Sequence, residues 1–248
     1  MNRAGLLRAL VLIVAVGALE IASQSGIIPA TTILPPSQMA ASLWTILRSG
    51  EFDTDILLTL GNVLAAAAIA VVLGLGMGLV IHAWGGLRAA LEPLLASYYA
   101  VPTFMFYPVF IILFGVGSGA IIAISVLLAV VAMVSATLVG LDRIPPVYGR
   151  VARIHQMGWL ATAWRISLPA ALPFLFTGVR LCVAYAFIGV IASEFILSGA
   201  GIGYAIAYAY NNFNNQTMYG LMLLVVLLVS AINGVLDAVD HRFAARRR

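Results

Sequence analysis

The sequence predicts an all-α membrane protein with six transmembrane helices and both termini on the cytoplasmic side. Three observations carry that prediction. Apolar residues fill 63% of the 248 positions and charged residues only 9%, where a soluble domain carries about 25% charged, so the chain cannot cover a water-facing surface. The apolar residues fall in runs long enough to cross a bilayer, separated by short polar segments. The thirteen basic residues are all Arg and gather at one set of run ends. That pattern fits membrane orientation and excludes a nucleic-acid partner as the reason for the basic balance.

Leu6 to Leu19 is apolar and follows Arg3 and Arg8. A basic start, an apolar centre and small residues near Ala22 and Ser23 suit a signal peptide, and the same residues suit a retained first span. Ser23 to Asp55 is polar, with Pro29, Pro35, Pro36, Glu51, Asp53 and Asp55. Pro36 and Ser37 start a turn, and Gln38 to Leu47 reads as a short interfacial helix. Ile56 to Ile81 is the second span. Gly74 and Gly78 give it a small-residue face for close helix approach, and Ala65 to Ala68 add to it.

His82 to Glu92 is expected to be a short inner loop. Pro93 then opens a third apolar region, Leu94 to Phe114, interrupted by Pro102 and Pro108. Prolines inside a span free backbone groups that neighbouring helices must satisfy, so this region is either a moving, pore-lining helix or an irregularly packed one. Gly115, Gly117 and Gly119 mark an outer turn. Ala120 to Leu141 is the fourth span. The fifth apolar run begins at Pro169 and Pro173 and continues to Leu197. Ser198 to Thr217 is a second outer segment, and Met218 to Val235 the sixth span. These boundaries divide the chain into 1–55 (first helix and outer segment), 56–240 (core, with an inner loop at 142–168) and 241–248 (basic tail).

The charges close this topology. With six spans and an inner N-terminus, inner segments hold Arg3, Arg8, Arg88, Arg143, Arg150, Arg153, Arg165, Arg242 and Arg246 to Arg248; outer segments hold Arg48. Arg180 lies within the fifth span. The count favours a retained first span.

Signatures of catalysis and metal binding are missing. His82, His155 and His241 are on different elements, no GxSxG elbow or Walker A loop occurs, and Cys182 is a single cysteine in an apolar run. No cofactor and no metal site is expected. The ionisable residues deep in the spans are Arg180 and Glu194. Fourteen residues apart, they share a helix face to within about 40°, separated by about 21 Å. That puts Arg180 near mid-membrane and Glu194 near the outer mouth, either as a polar stripe along a pore or as hydrogen-bonding groups between helices. So little buried charge disfavours an ion-driven secondary carrier; a membrane scaffold without transport is the alternative from another class.

Arg150 to Pro173 is a polar island in this apolar chain. Its periodicity suggests two short helices meeting near Gly158, with Trp159 and Trp164 at headgroup level. It is either a docking surface for a water-side partner or an ordinary interfacial loop. Arg150-Val151-Ala152, three residues, Gln156, nine residues, then Ile166-Ser167-Leu168-Pro169 resembles the cytoplasmic EAA loop of ATP-binding-cassette (ABC) importer permeases. Arg150 and Gln156 stand where that motif has Glu and Gly. Leu34-Pro35-Pro36-Ser37, Val101-Pro102, Tyr107-Pro108, Phe114 to Gly117, Gly178 to Leu181, Ala192-Ser193-Glu194 and Gly201 to Tyr204 resemble the nitrate/sulfonate/taurine subgroup in order and spacing.

The resemblance implies a type I ABC importer permease fold in a bacterial inner membrane, without an ATPase of its own. It implies ABC ATPase subunits docked on the loop 150–169, a second permease subunit in a homodimer or heterodimer, a periplasmic substrate-binding protein, and a small solute such as nitrate, a sulfonate, taurine or a heterocyclic nutrient. The coupling residues it implies are Arg150, Val151, Ala152, Arg153, Gln156, Gly158, Trp159, Ile166, Leu168 and Pro169. The translocation-path candidates are Arg180, Glu194, Pro102 and Tyr107. Two arrangements accommodate the altered motif: an ATPase with an acid facing Arg150, or a second permease with a regular loop.

Overall fold

The computed structural model describes residues 3–29 and 32–245, and these are almost entirely helical. Eleven α-helices follow one another among the described residues: α1 Arg3–Gln24, α2 Pro36–Ser49, α3 Asp53–Ala83, α4 Gly85–Ser97, α5 Tyr107–Phe114, α6 Ser118–Asp142, α7 Pro146–Ile154, α8 Trp159–Thr162, α9 Leu168–Leu197, α10 Ile202–Asn211 and α11 Asn215–Ala245. Five stretches are long and apolar enough to cross a membrane: Gly5–Gln24, Asp53–Ala83, Ser118–Asp142, Leu160–Ile196 and Asn215–Val239. A sixth arises if Gly85–Ala100 and Thr103–Phe114, bent by 94°, count as one span.

The chain forms two compact units. One comprises 1–58 and 195–228, the other 59–194 and 229–248. In the first, Glu20 near the end of α1 accepts hydrogen bonds from the Ser37 amide (2.9 Å) and hydroxyl (2.5 Å), tying α1 to the start of α2. Leu43 and Ile46 of α2 are buried. Gly220 lets α11 close on them, since a Cβ there would lie 2.7 Å from Ile46 Cδ1. The Tyr219 hydroxyl donates to the Thr32 carbonyl, and the Asn214 side chain caps α11 by accepting from the Thr217 amide at 3.2 Å.

The second unit is built on α3, α6 and α9. Its core is rich in small residues: Ala66, Ala67 and Ala70 on α3, Ala129 and Ala132 on α6, Ala171, Cys182 and Ala186 on α9. Such residues let backbones approach where lipid offers no hydrophobic drive between helices. The expected Gly74/Gly78 face does this against α6: a Cβ would meet Met133 Cβ at 2.5 Å from position 74 and Thr137 Cβ at 2.6 Å from position 78. Gly189 does the same on α9, with Ser125 Cα 2.8 Å from its absent Cβ. Cys182 is an inert core residue whose thiol donates to the Ala129 carbonyl at 3.3 Å.

Two expectations, the loop at His82 to Glu92 and the second outer segment, need correction. The segment His82 to Glu92 is not a loop. α3 runs through Ala83, α4 starts at Gly85, and Pro93 lies inside α4. Gly85 to Leu91 offers no proline and no turn chemistry beyond its first two glycines, so the backbone keeps its helical bonds. The third apolar region breaks, as its prolines suggest, at Val101–Pro102, where residue 101 is extended (φ −87°, ψ 122°) as a residue before proline must be. The second outer segment contains a helix, α10, whose Ile202, Ala205, Ile206 and Ala209 are buried. α11 runs on into the basic tail as far as Ala245; the expected charges Arg246, Arg247 and Arg248 lie outside the described residues, as do the side chains of Arg3, Arg8, Trp159, His241 and Arg242.

Candidate functional site

The island folds as the periodicity suggests, with an irregular centre. Pro145 and Pro146 end the turn after α6 and start α7, proline being suited to a first helical position. Gln156, at the position of the motif glycine, adopts φ 50°. Its amide bonds the Arg153 carbonyl (3.0 Å) and the Met157 amide bonds the Ala152 carbonyl (2.9 Å). These two bonds are the Schellman termination of a helix, and its left-handed residue is ordinarily Gly. The altered residue therefore occupies the chain-reversal position of α7.

α8 follows at Trp159–Thr162, then one π-helical turn, Ala163–Ser167, closed by the Leu168 amide on the Ala163 carbonyl. The Leu168-Pro169 pair explains the widening: proline has no N–H to give and its ring crowds the carbonyl four residues back, so the turn before it opens. Leu168 is buried and Pro169 exposed, which anchors the island to α9 through Leu168.

Of the coupling candidates, Arg150, Val151, Arg153, Gln156, Gly158 and Pro169 are exposed, Ala152 and Leu168 buried, Ile166 half-buried. The structure adds Val147 and Leu160 to the island residues singled out from the sequence. Val147, Val151 and Ile154 form an exposed i, i+4, i+7 stripe on α7, and Leu160 and Trp164 are exposed beyond it. Beneath them Ala152, Arg153, Met157 and Ala163 line a cavity of about 280 Å³. Arg88, expected only as a topology charge, holds Asp142 with both terminal nitrogens at 2.6 Å, and His82 Nδ1 lies 3.4 Å from the same carboxylate.

The path candidates separate. Pro102 lies at the break in the bent region. Tyr107 is buried in a cluster with Ala120 and Ile124, bordered by Phe104 and Phe110. Glu194 is fully buried: Thr59 Oγ1 donates to it at 2.8 Å and Asn62 Nδ2 at 3.3 Å, joining α9 to α3. Arg180 has a different neighbour, Asp237 of α11, its Nη1 2.5 Å from Oδ1, with the side chains 36% and 48% exposed. So the two ends of the expected stripe make separate contacts.

Along α9, Arg180 lies about 18 Å from Leu168 and about 26 Å from Leu197 by helix rise. Thr59, Asn62 and Asp237 were not singled out from the sequence.

Comparisons with known proteins agree with this architecture. Residues 70–248 match the family described as "Binding-protein-dependent transport system inner membrane component". The nitrate import permease protein NrtB of Leptolyngbya laminosa is 27% identical over 192 residues, covering 77% of this chain and 67% of that protein. The bicarbonate transport system permease protein CmpB of Synechococcus elongatus is 28% identical over 200 residues, covering 79% and 70%. The fold is that of a chain in the inward-facing MetNI methionine ABC transporter, with TM-score 0.69 at 19% identity over 77% of this chain and 95% of that one. Permeases of this family are multi-pass inner-membrane subunits that work with ABC ATPases and a substrate-binding protein. This chain belongs to that family, the inner-membrane components of binding-protein-dependent transport systems, and is a permease subunit of an ABC importer.

Proposed function

We propose that this permease passes a small inorganic oxyanion, of the nitrate or bicarbonate kind, into the cytoplasm. The observation that carries the reading is Arg180, a cation more than a third exposed on a helix whose other charge, Glu194, is fully buried. An Arg so placed is costly in lipid and belongs on a water-filled path. The names of the nitrate and bicarbonate relatives support the same solute class.

In this reading Glu194, Pro102 and Tyr107 shape the path with Arg180, and the coupling residues from Arg150 to Pro169 receive the ATPase. Val147, Ile154, Leu160 and Trp164 join them, because an exposed apolar stripe flanked by Arg150 and Arg153 suits a water-side protein groove. In this reading both termini face the cytoplasm, a placement the arginine distribution supports. Residues 1–55 form the first helix and outer segment, 56–240 the core with its loop 142–168, and 241–248 the basic end. The pathway needs two permease subunits, and Arg150 with Gln156 favours a partner of different sequence.

The test is reconstitution of the whole complex in liposomes with its binding protein. ATP-driven uptake of labelled nitrate or bicarbonate, reduced at least about tenfold by Arg180→Gln, is the expected result. Uptake of a neutral or cationic solute alone, unaffected by that substitution, would overturn the reading.

A further inference from the structure

Asp237 is the unexplained half of the Arg180 contact. The core face of α9 carries Cys182, Ala186 and Val190, all buried. Arg180, two residues before Cys182, points about 160° away from it. On α11, Val229 and Ile232 pack against that same core. Asp237 lies about 80° round the helix from Val229. Both charges therefore sit on flanks of their helices, outside the packed core, and their exposure of 36% and 48% leaves them open to whatever fills the space beside them. Two charges open to lipid within spanning helices would be expensive, whereas two charges facing water are not.

The chemistry of the pair narrows its use. A guanidinium presents a planar fork of N–H donors that matches two oxygens on one planar centre. The head of Asp237 is such a group, a monovalent planar carboxylate. Nitrate and bicarbonate have the same charge and the same planar oxygen geometry. A passing oxyanion and Asp237 are thus alternative occupants of one guanidinium.

We propose that the Arg180–Asp237 pair is a gate selective for monovalent oxyanions, with Asp237 the resident counter-charge that a passing anion displaces. The gate is closed when Arg180 holds Asp237 and open when the anion takes its place. Divalent anions such as sulfate meet the freed Asp237 carboxylate with about twice the repulsion of a monovalent one. The inference rests on the oxyanion reading above and adds to it a residue and a rule of selectivity.

The experiment uses the complete transporter in liposomes and measures passive flux without ATP. Asp237→Asn keeps the shape and removes the charge; it is expected to raise passive nitrate flux about tenfold, equivalent to about 1.4 kcal/mol, with potassium and sulfate fluxes unchanged. The reversed pair, Arg180→Asp with Asp237→Arg, is expected to be tight again but unable to import nitrate. An assembled Asp237→Asn complex with wild-type passive flux, or with a leak equal for potassium and nitrate, overturns the gate. If Asp237→Asn fails to assemble while the reversed pair assembles and imports nitrate as wild type does, the pair is structural and the proposal falls. Wild-type complex that imports no oxyanion refutes the solute reading; wild-type import alongside a tight Asp237→Asn complex refutes the gate alone.

Discussion

Replacing Gln156 by Gly should strengthen the end of α7. Gln156 has φ 50°, a conformation in which an L side chain crowds the backbone at a cost of about 1–2 kcal/mol. The residue is held there because its own amide and that of Met157 close the helix on Arg153 and Ala152. Glycine removes the crowding and leaves both bonds in place. It also gains freedom in the opened state, which returns about 0.4–1 kcal/mol. The balance is a stabilisation of about 0.5–1 kcal/mol, which slows local opening roughly 2- to 5-fold. Amide hydrogen exchange of the α7–α8 segment in lipid nanodiscs reads this directly. Gln156→Gly should lower exchange at residues 156 and 157 by that factor, Gln156→Ala should leave it near wild type, and Gln156→Val should raise it, because a β-branched side chain fits this region worst. Exchange unchanged or faster in Gln156→Gly would refute the reasoning and mean that the side chain makes a compensating contact.

Three further outcomes are expected. Gly74→Val should destabilise the purified chain by about 1–3 kcal/mol or more in thermal unfolding, since even its Cβ would lie 2.5 Å from Met133 and 2.8 Å from the Val130 carbonyl; Gly76→Val, with open space around it, should change little. Glu194→Ala should cost more stability than Glu194→Gln, by about 1–3 kcal/mol for each buried donor left without an acceptor, because Thr59 and Asn62 both donate to the carboxylate; in proteoliposomes Glu194→Gln should reduce uptake more than it reduces assembly, and normal uptake would leave Glu194 a helix-joining residue only. Arg150→Glu should lower binding-protein-stimulated ATP hydrolysis with insertion intact, whereas unchanged stimulation would leave Arg150 an orientation charge.

The spans were legible because each is a long apolar run with little charge. The close approach of α3 to α6 was readable from Gly74 and Gly78 alone, as small residues four apart share a face. The island's two helices were readable from Pro145-Pro146, Gly158 and the apolar periodicity. The bend at Pro102 was visible as a break but not as a 94° turn, because proline fixes the local dihedrals and leaves the direction of the next helix to packing. Gly85 to Leu91 was mistaken for loop because its charge and glycines outweighed its helix-compatible pattern. Left-handed residues at Gln156 and Phe213 could not be read from residue type, since both helix ends force the conformation on side chains that do not favour it. The partners of Arg180 and Glu194 come from other helices, and pairings across α3, α9 and α11 follow from three-dimensional register, which a single sequence does not encode locally.

The central claim is that an ATPase docks on the α7–α8 segment. Affinity purification of the tagged chain from membranes, with quantification of the ABC ATPase that accompanies it, tests this most directly when done beside the Val151→Asp/Ile154→Asp variant, which places charge on the exposed apolar stripe of α7. The account predicts an ATPase retained by the unaltered chain and reduced at least about tenfold with the variant, while the variant inserts normally and still recovers the second permease subunit. Equal retention of the ATPase by both chains, or recovery of the unaltered chain with no ATPase, would contradict it.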